Sequence, residues 1–159
     1  FAVEDVAEVS LTGHPFLQQR TDRPDVATGR ESQVSAQHAI AIALRRGRAG
    51  LAEFSDAAVA ETLRDGIRPK LRFNDDDSYN IEGVRVEVLT KQGASHVVEI
   101  VDTQGGSRNP MSDAGLNDKL AMLAEYGGFE ADVTPLADAI WSLDTAADAG
   151  AVMALCTKR

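Results

Sequence analysis

Two runs of alternating valines with a glycine turn between them constrain the fold of this chain most. The first run, GVRVEVLT, puts Val84, Val86 and Val88 on one side of an extended strand, and the second run is SHVVEIVDT. Alternation with a period of two is typical of a strand that buries one face. The letters KQG between the runs predict a hairpin turn. The chain is therefore expected to contain an antiparallel pair of strands.

Two further segments predict strands of the same sheet. In AVEDVAEVSL, Val3, Val9 and Leu11 are evenly spaced while Val6 is out of phase, which predicts a strand with a bulge or a twist. IRPKLRF predicts another strand, and the acidic loop NDDDSYN follows it. Because that loop lacks the glycine and terminal glutamate of a calcium loop, it is interpreted as a solvated turn.

A pair of helices is predicted between these strands. SQVSAQHAIAIALRRG predicts a helix that is capped by Ser32 or Ser35 and ended by Gly47. Its middle is apolar on every side, so we expect the helix to be nearly enclosed and His38 to be a core histidine. SDAAVAETLRDG predicts the second helix, with Ser55 as its cap and the final glycine as its end.

Three helices are predicted for the rest of the chain. Ser112 is expected to cap the first, Thr134-Pro135 to start the second, and AADAGAVMALC to form the third. The order of elements is a strand, a helix pair, three strands, a helix and a helical tail. This order predicts an α+β fold, in which an antiparallel sheet carries the helix pair and further helices on one face.

Charge and composition exclude several classes of function. The 159 residues carry a net charge of -9, so binding to a phosphate backbone is not expected and no nucleic-acid partner is predicted. No apolar run approaches the roughly 18 residues that a membrane helix needs, so no membrane partner is predicted either. Cys156 has no second cysteine to pair with and is interpreted as a core thiol in a reducing cytoplasm.

The segment from residue 12 to residue 31 has no sustained periodicity and is the first place to look for a site. His14 lies in it, directly before a Pro-Phe pair. The segment also concentrates three guanidinium groups in an otherwise acidic chain, those of Arg20, Arg23 and Arg30. Because a planar guanidinium fits a carboxylate, the segment predicts carboxylate recognition, with a solvated surface as the alternative.

Several motifs occur together and in a fixed order. They are the Asp25-to-Gly29 turn, the Ser35-x-Gln37 helix start, the Gly47-x-x-Gly50-Leu51 link with Phe54, and Asn109-Pro110-Met111-Ser112 followed by Lys119. In this order and at these spacings the chain resembles the C-terminal half of the MmgE/PrpD family over nearly its whole length. That family includes 2-methylcitrate dehydratases, cis-aconitate decarboxylase and iminodisuccinate epimerase.

The resemblance implies a two-domain enzyme of which this chain is the C-terminal portion. Residues 1–127 would form an α+β lid domain, and residues 128–159 a helical tail that rejoins a large helical domain. Phe1 stands in place of Met within a strand-like run, which also predicts a piece of a larger protein. The implied partners are that helical domain, a second copy in a homodimer, and a small polycarboxylate substrate in the cytoplasm.

The activity implied by the resemblance is that of a lyase or isomerase without a metal, an iron–sulfur cluster or another cofactor. Such enzymes use histidine and lysine side chains to move a proton next to a carboxylate. Most of these groups lie in the family's helical domain, and the lid's usual lysine and histidine lie just upstream of Phe1. The fragment alone is therefore expected to be inactive, and no catalytic residue is assigned.

Three residues are candidates for facing the substrate, namely His14, Arg30 and Gln33. Gln33 stands where relatives often carry a basic residue, and His38 stands where an aromatic residue is common. A lost cation implies one carboxylate fewer to bind, so the exact substrate stays open. The alternative from another class of function is a non-catalytic α+β binding or assembly domain.

Overall fold

The computed structural model describes residues 1–157. The chain divides into two compact units, Phe1–Thr103 and Gln104–Arg159. The boundary predicted after residue 127 is of another kind, because it separates the lid from the helices that are expected to join another domain. It stays a prediction.

The first unit contains the sheet and the helices that are packed with it. Its strands are β1 (Val6–Gly13), β2 (Leu71–Asp75), β3 (Val84–Thr90) and β4 (Ser95–Ile100). Its helices are α1 (Phe16–Thr21), α2 (Gly29–Ser32), α3 (Ala36–Arg46) and α4 (Asp56–Thr62). Short 3-10 turns occupy Val3–Asp5, Leu51–Phe54 and Arg68–Lys70.

The sheet has the strand order β2-β1-β3-β4 and is mostly antiparallel. The predicted hairpin of β3 and β4 is confirmed, with Gly93 at a φ of 83° in its turn. The pair β1 and β2 is parallel, because the chain returns to the sheet through α1–α4 before β2 begins. The predicted α+β fold is confirmed, with this one parallel pair in an otherwise antiparallel sheet.

Apolar residues of β1, β2 and β3 meet on one face of the sheet and pack with α3. Val9 lies between Leu71 and Val88, and Ala41 of α3 belongs to the same buried cluster. The register of β1 shifts between Val6 and Glu8, so Val6 is buried although it is out of phase with Val9. The predicted irregularity is therefore confirmed, but the strand begins only at Val6, because Val3 lies in the 3-10 turn before it.

The helix pair follows its sequence signals closely. Ser35 caps α3 by accepting a hydrogen bond from the His38 amide, and Gly47 ends the helix with a φ of 70°. His38 is fully buried, as predicted, and no residue from 36 to 44 is exposed. Ser55 caps α4, which ends at Thr62, four residues before the glycine that was expected to end it.

Two further predictions for the first unit were wrong in detail. The segment IRPKLRF forms a strand only from Leu71, because Pro69 lies in a 3-10 turn that precedes β2. The segment from residue 12 to residue 31 is not a structureless loop, since it contains the end of β1, all of α1 and most of α2. Helices of four to six residues are too short to leave a periodic pattern in a sequence.

The second unit contains α5 (Asp113–Tyr126), α6 (Thr134–Trp141), a 3-10 turn at Leu143–Thr145 and α7 (Gly150–Leu155). Ser112 caps α5 as predicted, by accepting from the Gly115 amide at 3.1 Å. Pro135 lies in the first turn of α6, and the indole nitrogen of Trp141 donates to Asn117 Oδ1 at 2.8 Å.

The core position predicted for Cys156 was wrong. The residue caps the C-terminus of α7, where its thiol donates to the carbonyl oxygen of Val152 at 3.7 Å, and it is exposed. Among residues 1–157 there is no helix with both the length and the apolar character that crossing a bilayer requires.

Candidate functional site

Residues 22–33, here called the site segment, lie between α1 and α3 and are held by the start of α3. The amide of Arg23 donates to Gln37 Oε1 at 3.0 Å, and Gln37 Nε2 donates to Asp22 Oδ1 at 2.6 Å. The hydroxyl of Ser35 donates to the carbonyl oxygen of Arg23 at 2.6 Å. Gln37 is only 4% exposed, so these polar contacts are largely sheltered from water. The segment therefore follows a fixed path.

A capping box starts α2 in the middle of the site segment. Thr28 Oγ1 accepts from the Glu31 amide at 3.3 Å, and Glu31 Oε2 accepts from the amides of Ala27 and Thr28 at 2.9 and 3.1 Å. The hydrogen bond from Ala27, followed by those from Thr28, holds the pKa of the Glu31 carboxyl below its usual value. The first turn of α2 is thus supplied with acceptors for its free amides.

Gly29 lets α2 approach the link between the 3-10 turn Leu51–Phe54 and α4. Its amide donates to Asp56 Oδ1 at 2.7 Å. A Cβ at this position would lie 2.3 Å from the carbonyl oxygen of Phe54 and 2.9 Å from atoms of Ser55. A side chain here would clash with backbone atoms, which cannot move aside as a flexible side chain can. Glycine therefore permits the close approach of α2 to this link.

Arg30 and Gln33 are both exposed and lie three residues apart. Arg30 is in α2 and Gln33 caps its C-terminus in a helical conformation, so the two side chains leave the same side of the helix. Among the residues that the structure describes, neither side chain makes a hydrogen bond or an ion pair. The segment thus presents a guanidinium group and a carboxamide together, and both can donate to a carboxylate.

The other two arginines predicted for this site are engaged elsewhere. The guanidinium of Arg20 lies 4.8 Å from the centre of the Phe16 ring, in a cation–π contact. Arg23 donates to the carbonyl oxygens of Asp22 and Gln19 at 2.7 and 3.3 Å. Within residues 1–157 Arg20 makes no hydrogen bond, but its guanidinium lies on the Phe16 ring. In the described part of the chain, Arg30 is therefore the arginine of the three whose guanidinium makes no hydrogen bond, ion pair or ring contact.

His14 is half-buried directly after the end of β1. Its Nδ1 accepts from the Phe16 amide at 3.1 Å, and its ring meets the Phe16 ring edge-on at 4.8 Å. A neutral ring held in this way carries its hydrogen on Nε2. No hydrogen bond, ion pair or ring contact within residues 1–157 joins His14 to Arg30 or Gln33. That all three face one substrate stays a prediction.

An open groove of about 430 Å³ lies along the first half of the site segment. Its lining residues are Asp22, Arg23, Pro24, Asp25, Val26, Glu31 and Val34. Three of these are carboxylates that repel an anion, and neither Arg30 nor Gln33 lines the groove. The two groups predicted to bind a carboxylate therefore lie outside it. In the described chain, no group of three or more His, Cys, Asp or Glu residues is arranged to hold a metal ion.

Sequence reasoning missed one residue that shapes this site. Arg68 is only 6% exposed, and its Nη1 donates to the carbonyl oxygens of Pro24 and Val26 at 3.1 and 3.2 Å. The sequence offers one hint of its burial: this arginine lies between Ile67 and Pro69, in a segment that was expected to be a strand. A contact across more than 40 residues leaves no local pattern that could have identified it.

The comparison with protein families agrees with this arrangement of motifs. A family described as the MmgE/PrpD C-terminal domain matches residues 1–144, which include the sheet, the site segment, α5 and α6. No curated protein matches the chain. Because the match covers most of the sequence, the predicted family is confirmed: the chain belongs to the MmgE/PrpD family and matches its C-terminal domain.

Proposed function

We propose that this chain is the substrate-covering domain of a lyase or isomerase that acts on a small polycarboxylic acid, with a 2-methylcitrate dehydratase as the nearest candidate. The observation that carries the proposal is the family match over residues 1–144. The site segment adds support, because Arg30 and Gln33 offer free donors from one side of a helix whose backbone is fixed.

The chemistry of such a reaction explains what the site segment would contribute. A proton next to a carboxylate is hard to remove, because negative charge builds up beside a group that is already negative. A guanidinium that binds this carboxylate by a charge-assisted hydrogen bond stabilises it by about 1.5–3 kcal/mol. In this proposal Arg30 binds and orients a carboxylate, and Gln33 donates from its amide beside it.

His14 would have a second role in this proposal. Since its Nδ1 accepts from the Phe16 amide, Nε2 is the nitrogen that can donate to a substrate oxygen. The base that removes the proton would come from a helical domain of the same protein, and no metal or other cofactor takes part. The complete enzyme would be a cytoplasmic homodimer in which residues 1–127 close over the substrate and the helical tail returns to the helical domain.

An assay of proton abstraction tests this function. The longer protein that carries this domain and the 159-residue chain are each incubated with 2-methylcitrate, cis-aconitate or iminodisuccinate in deuterium oxide. Deuterium incorporation and product are followed by mass spectrometry. We expect turnover of at least one of these acids by the longer protein and none by the 159-residue chain.

Two results would contradict the proposal. If the longer protein leaves all three acids unchanged and undeuterated, the domain is better described as a non-catalytic binding or assembly domain. If the 159-residue chain turns over one of them steadily, the proton-abstracting groups lie within this chain and the assignment of the base to another domain is wrong.

A further inference from the structure

Arg68 is a buried charge that contacts the site segment from a distant part of the chain. It begins the 3-10 turn Arg68–Lys70 that leads into β2. Its Nη1 donates to the carbonyl oxygens of Pro24, at 3.1 Å, and Val26, at 3.2 Å. One charged nitrogen therefore holds two peptide groups that lie only two residues apart, and both belong to the path that enters α2.

The other terminal nitrogen of Arg68 is fixed by the helix pair. Nη2 donates to Thr62 Oγ1 at 2.8 Å and lies 3.4 Å from His38 Nδ1. His38 Nε2 lies 2.8 Å from the carbonyl oxygen of Glu53, which can only accept, so Nε2 carries the ring hydrogen and Nδ1 is an acceptor. Thr62 is 1% exposed and His38 is 0% exposed. These buried partners give the guanidinium one orientation.

Burying the guanidinium of Arg68 costs free energy, which its hydrogen bonds have to offset. Within the described residues, no carboxylate lies within ion-pairing distance of its guanidinium. A buried charge without an ion pair costs free energy that an apolar residue of similar size would avoid. The contacts that offset this cost are made with the site segment and with α4. A charge is useful here because it binds carbonyl oxygens more strongly than a neutral donor does.

We propose that Arg68 is the positioning residue of the site segment. By holding the peptide groups of Pro24 and Val26, it fixes the entry into α2 and therefore the place of Arg30 and Gln33. The effect on a substrate rests on the proposed function, whereas the positioning of the segment does not.

Amide hydrogen exchange in the 159-residue chain tests the positioning directly. In Arg68→Lys the charge stays, but a single ammonium group replaces the planar fork that joins the segment to Thr62. We expect the protected amides of Arg23 and Gly29 to exchange about ten-fold faster or more, which corresponds to the loss of one charged hydrogen bond. The amide of Ile42, in the middle of α3, should exchange at an unchanged rate.

Two further variants separate positioning from general destabilisation. Arg72→Lys is the matched control, because the Arg72 guanidinium also binds two carbonyl oxygens, those of Pro69 and Leu71, but none of the site segment. We expect it to leave the exchange of Arg23 and Gly29 unchanged. Thr62→Val removes the hydroxyl that orients Arg68, so it should accelerate the same amides as Arg68→Lys does, and it serves as the test if that variant does not fold.

The exchange experiment can fail without the activity assay failing, and the reverse is also true. Equal acceleration of Ile42 and of the site segment, or no acceleration at all, overturns the positioning role, whatever the enzyme does. In an active longer protein, Arg68→Lys should raise KM about ten-fold with little change in kcat, since it displaces a binding group and not the base. A fall in kcat at constant KM overturns this part of the inference and leaves the proposed function intact.

Discussion

At the scale of single residues, the arginines near the site segment differ in what occupies their guanidinium groups. Arg20 stacks on Phe16, Arg23 binds backbone carbonyl groups, and Arg68 is buried among hydrogen-bond acceptors. Arg30 is exposed, and no partner for its side chain exists within the part of the chain that the structure describes. The backbone that carries Arg30 needs no ordering when an anion binds, although the free side chain still loses rotamer entropy.

The consequence for Arg30 can be measured in the longer protein. Arg30→Ala is expected to lower kcat/KM about ten- to hundred-fold, because it removes a charge-assisted hydrogen bond of about 1.5–3 kcal/mol. The measurement is the steady-state rate with the acid that the longer protein turns over. An unchanged kcat/KM would make Arg30 an ordinary surface residue.

The control for this substitution is Arg64→Ala. Arg64 is exposed after the end of α4, and its side chain has no hydrogen bond or ion pair within the described residues. Arg45 is less suitable, because its Nε lies 3.6 Å from Glu61 and 3.7 Å from the carboxylate of Asp65, whose side chain is buried. Arg64→Ala should leave kcat/KM within about two-fold of the parent value.

At the scale of elements, His38 joins α3 to α4 and to the 3-10 turn Leu51–Phe54. Its ring nitrogens face Thr62 and the carbonyl oxygen of Glu53. Burial lowers the pKa of His38. The bond to the Glu53 carbonyl opposes this effect, Arg68 and Arg46 add to it, and Asp65 opposes it. The folded protein therefore favours the neutral imidazole, and protonation would put a second positive charge beside the guanidinium of Arg68.

This arrangement predicts an acid-sensitive stability. Because the unfolded chain takes up the His38 proton at about pH 6.5 and the folded chain does so only at lower pH, the free energy of unfolding is fully present above pH 6.5 and falls below it. The fall should reach at most about 1.4 kcal/mol per pH unit. Urea unfolding at pH 7.5 and 5.5, followed by circular dichroism, measures it.

Two variants check the assignment of this pH dependence to His38. His38→Phe should be less stable but should lose the dependence between pH 7.5 and 5.5, whereas His96→Gln, at an exposed position of β4, should keep it. The buried carboxyl of Glu53 acts in a lower range. Burial raises its pKa, but hydrogen bonds from Gly50, Arg46 and Arg48 lower it overall, so its contribution is lost only below about pH 4.5. Equal pH dependence in His38→Phe and the parent would refute the assignment.

At the scale of the whole molecule, the second unit exposes more apolar surface than its short helices can bury. Ile140 and Trp141 are nearly half exposed, at 47% and 48%, and Leu155 is 39% exposed. Leu136 and Val152 are half-buried beside them in sequence. Several large apolar side chains exposed in one unit favour its association with another protein surface. This agrees with the proposal that these helices normally cover a further domain.

The 159-residue chain by itself is therefore expected to self-associate. Light scattering at increasing protein concentration should show a rising mass, and Ile140→Gln combined with Leu155→Gln should lower it, because the shared apolar surface is reduced. Leu63→Gln is the matched control, since Leu63 is 57% exposed but lies in the first unit. A parent chain that stays monomeric at all concentrations would count against this proposal.

The parts of the fold that depend on neighbouring residues could be predicted from the sequence. The caps at Ser35, Ser55 and Ser112 each accept a hydrogen bond from the amide three residues ahead. The few residues around each serine were therefore sufficient to predict where the helix begins. The β3–β4 hairpin was predicted for the same reason, since its turn and its alternation are local. The family could also be predicted, because its motifs are short and follow one another in a fixed order.

Only the tertiary structure decided what depends on distant residues. The parallel pairing of β1 with β2, the approach of Gly29 to Phe54 and the bonds from Arg68 to Pro24 and Val26 join positions 25 to 62 residues apart. A sequence pattern records the preferences of neighbouring residues, whereas these contacts depend on where the sheet and the helix pair bring the chain together. The sequence by itself therefore determined the longer elements and the candidates His14, Arg30 and Gln33. The packing added the short helices α1 and α2 and decided which of the three arginines makes no hydrogen bond, ion pair or ring contact within the described residues.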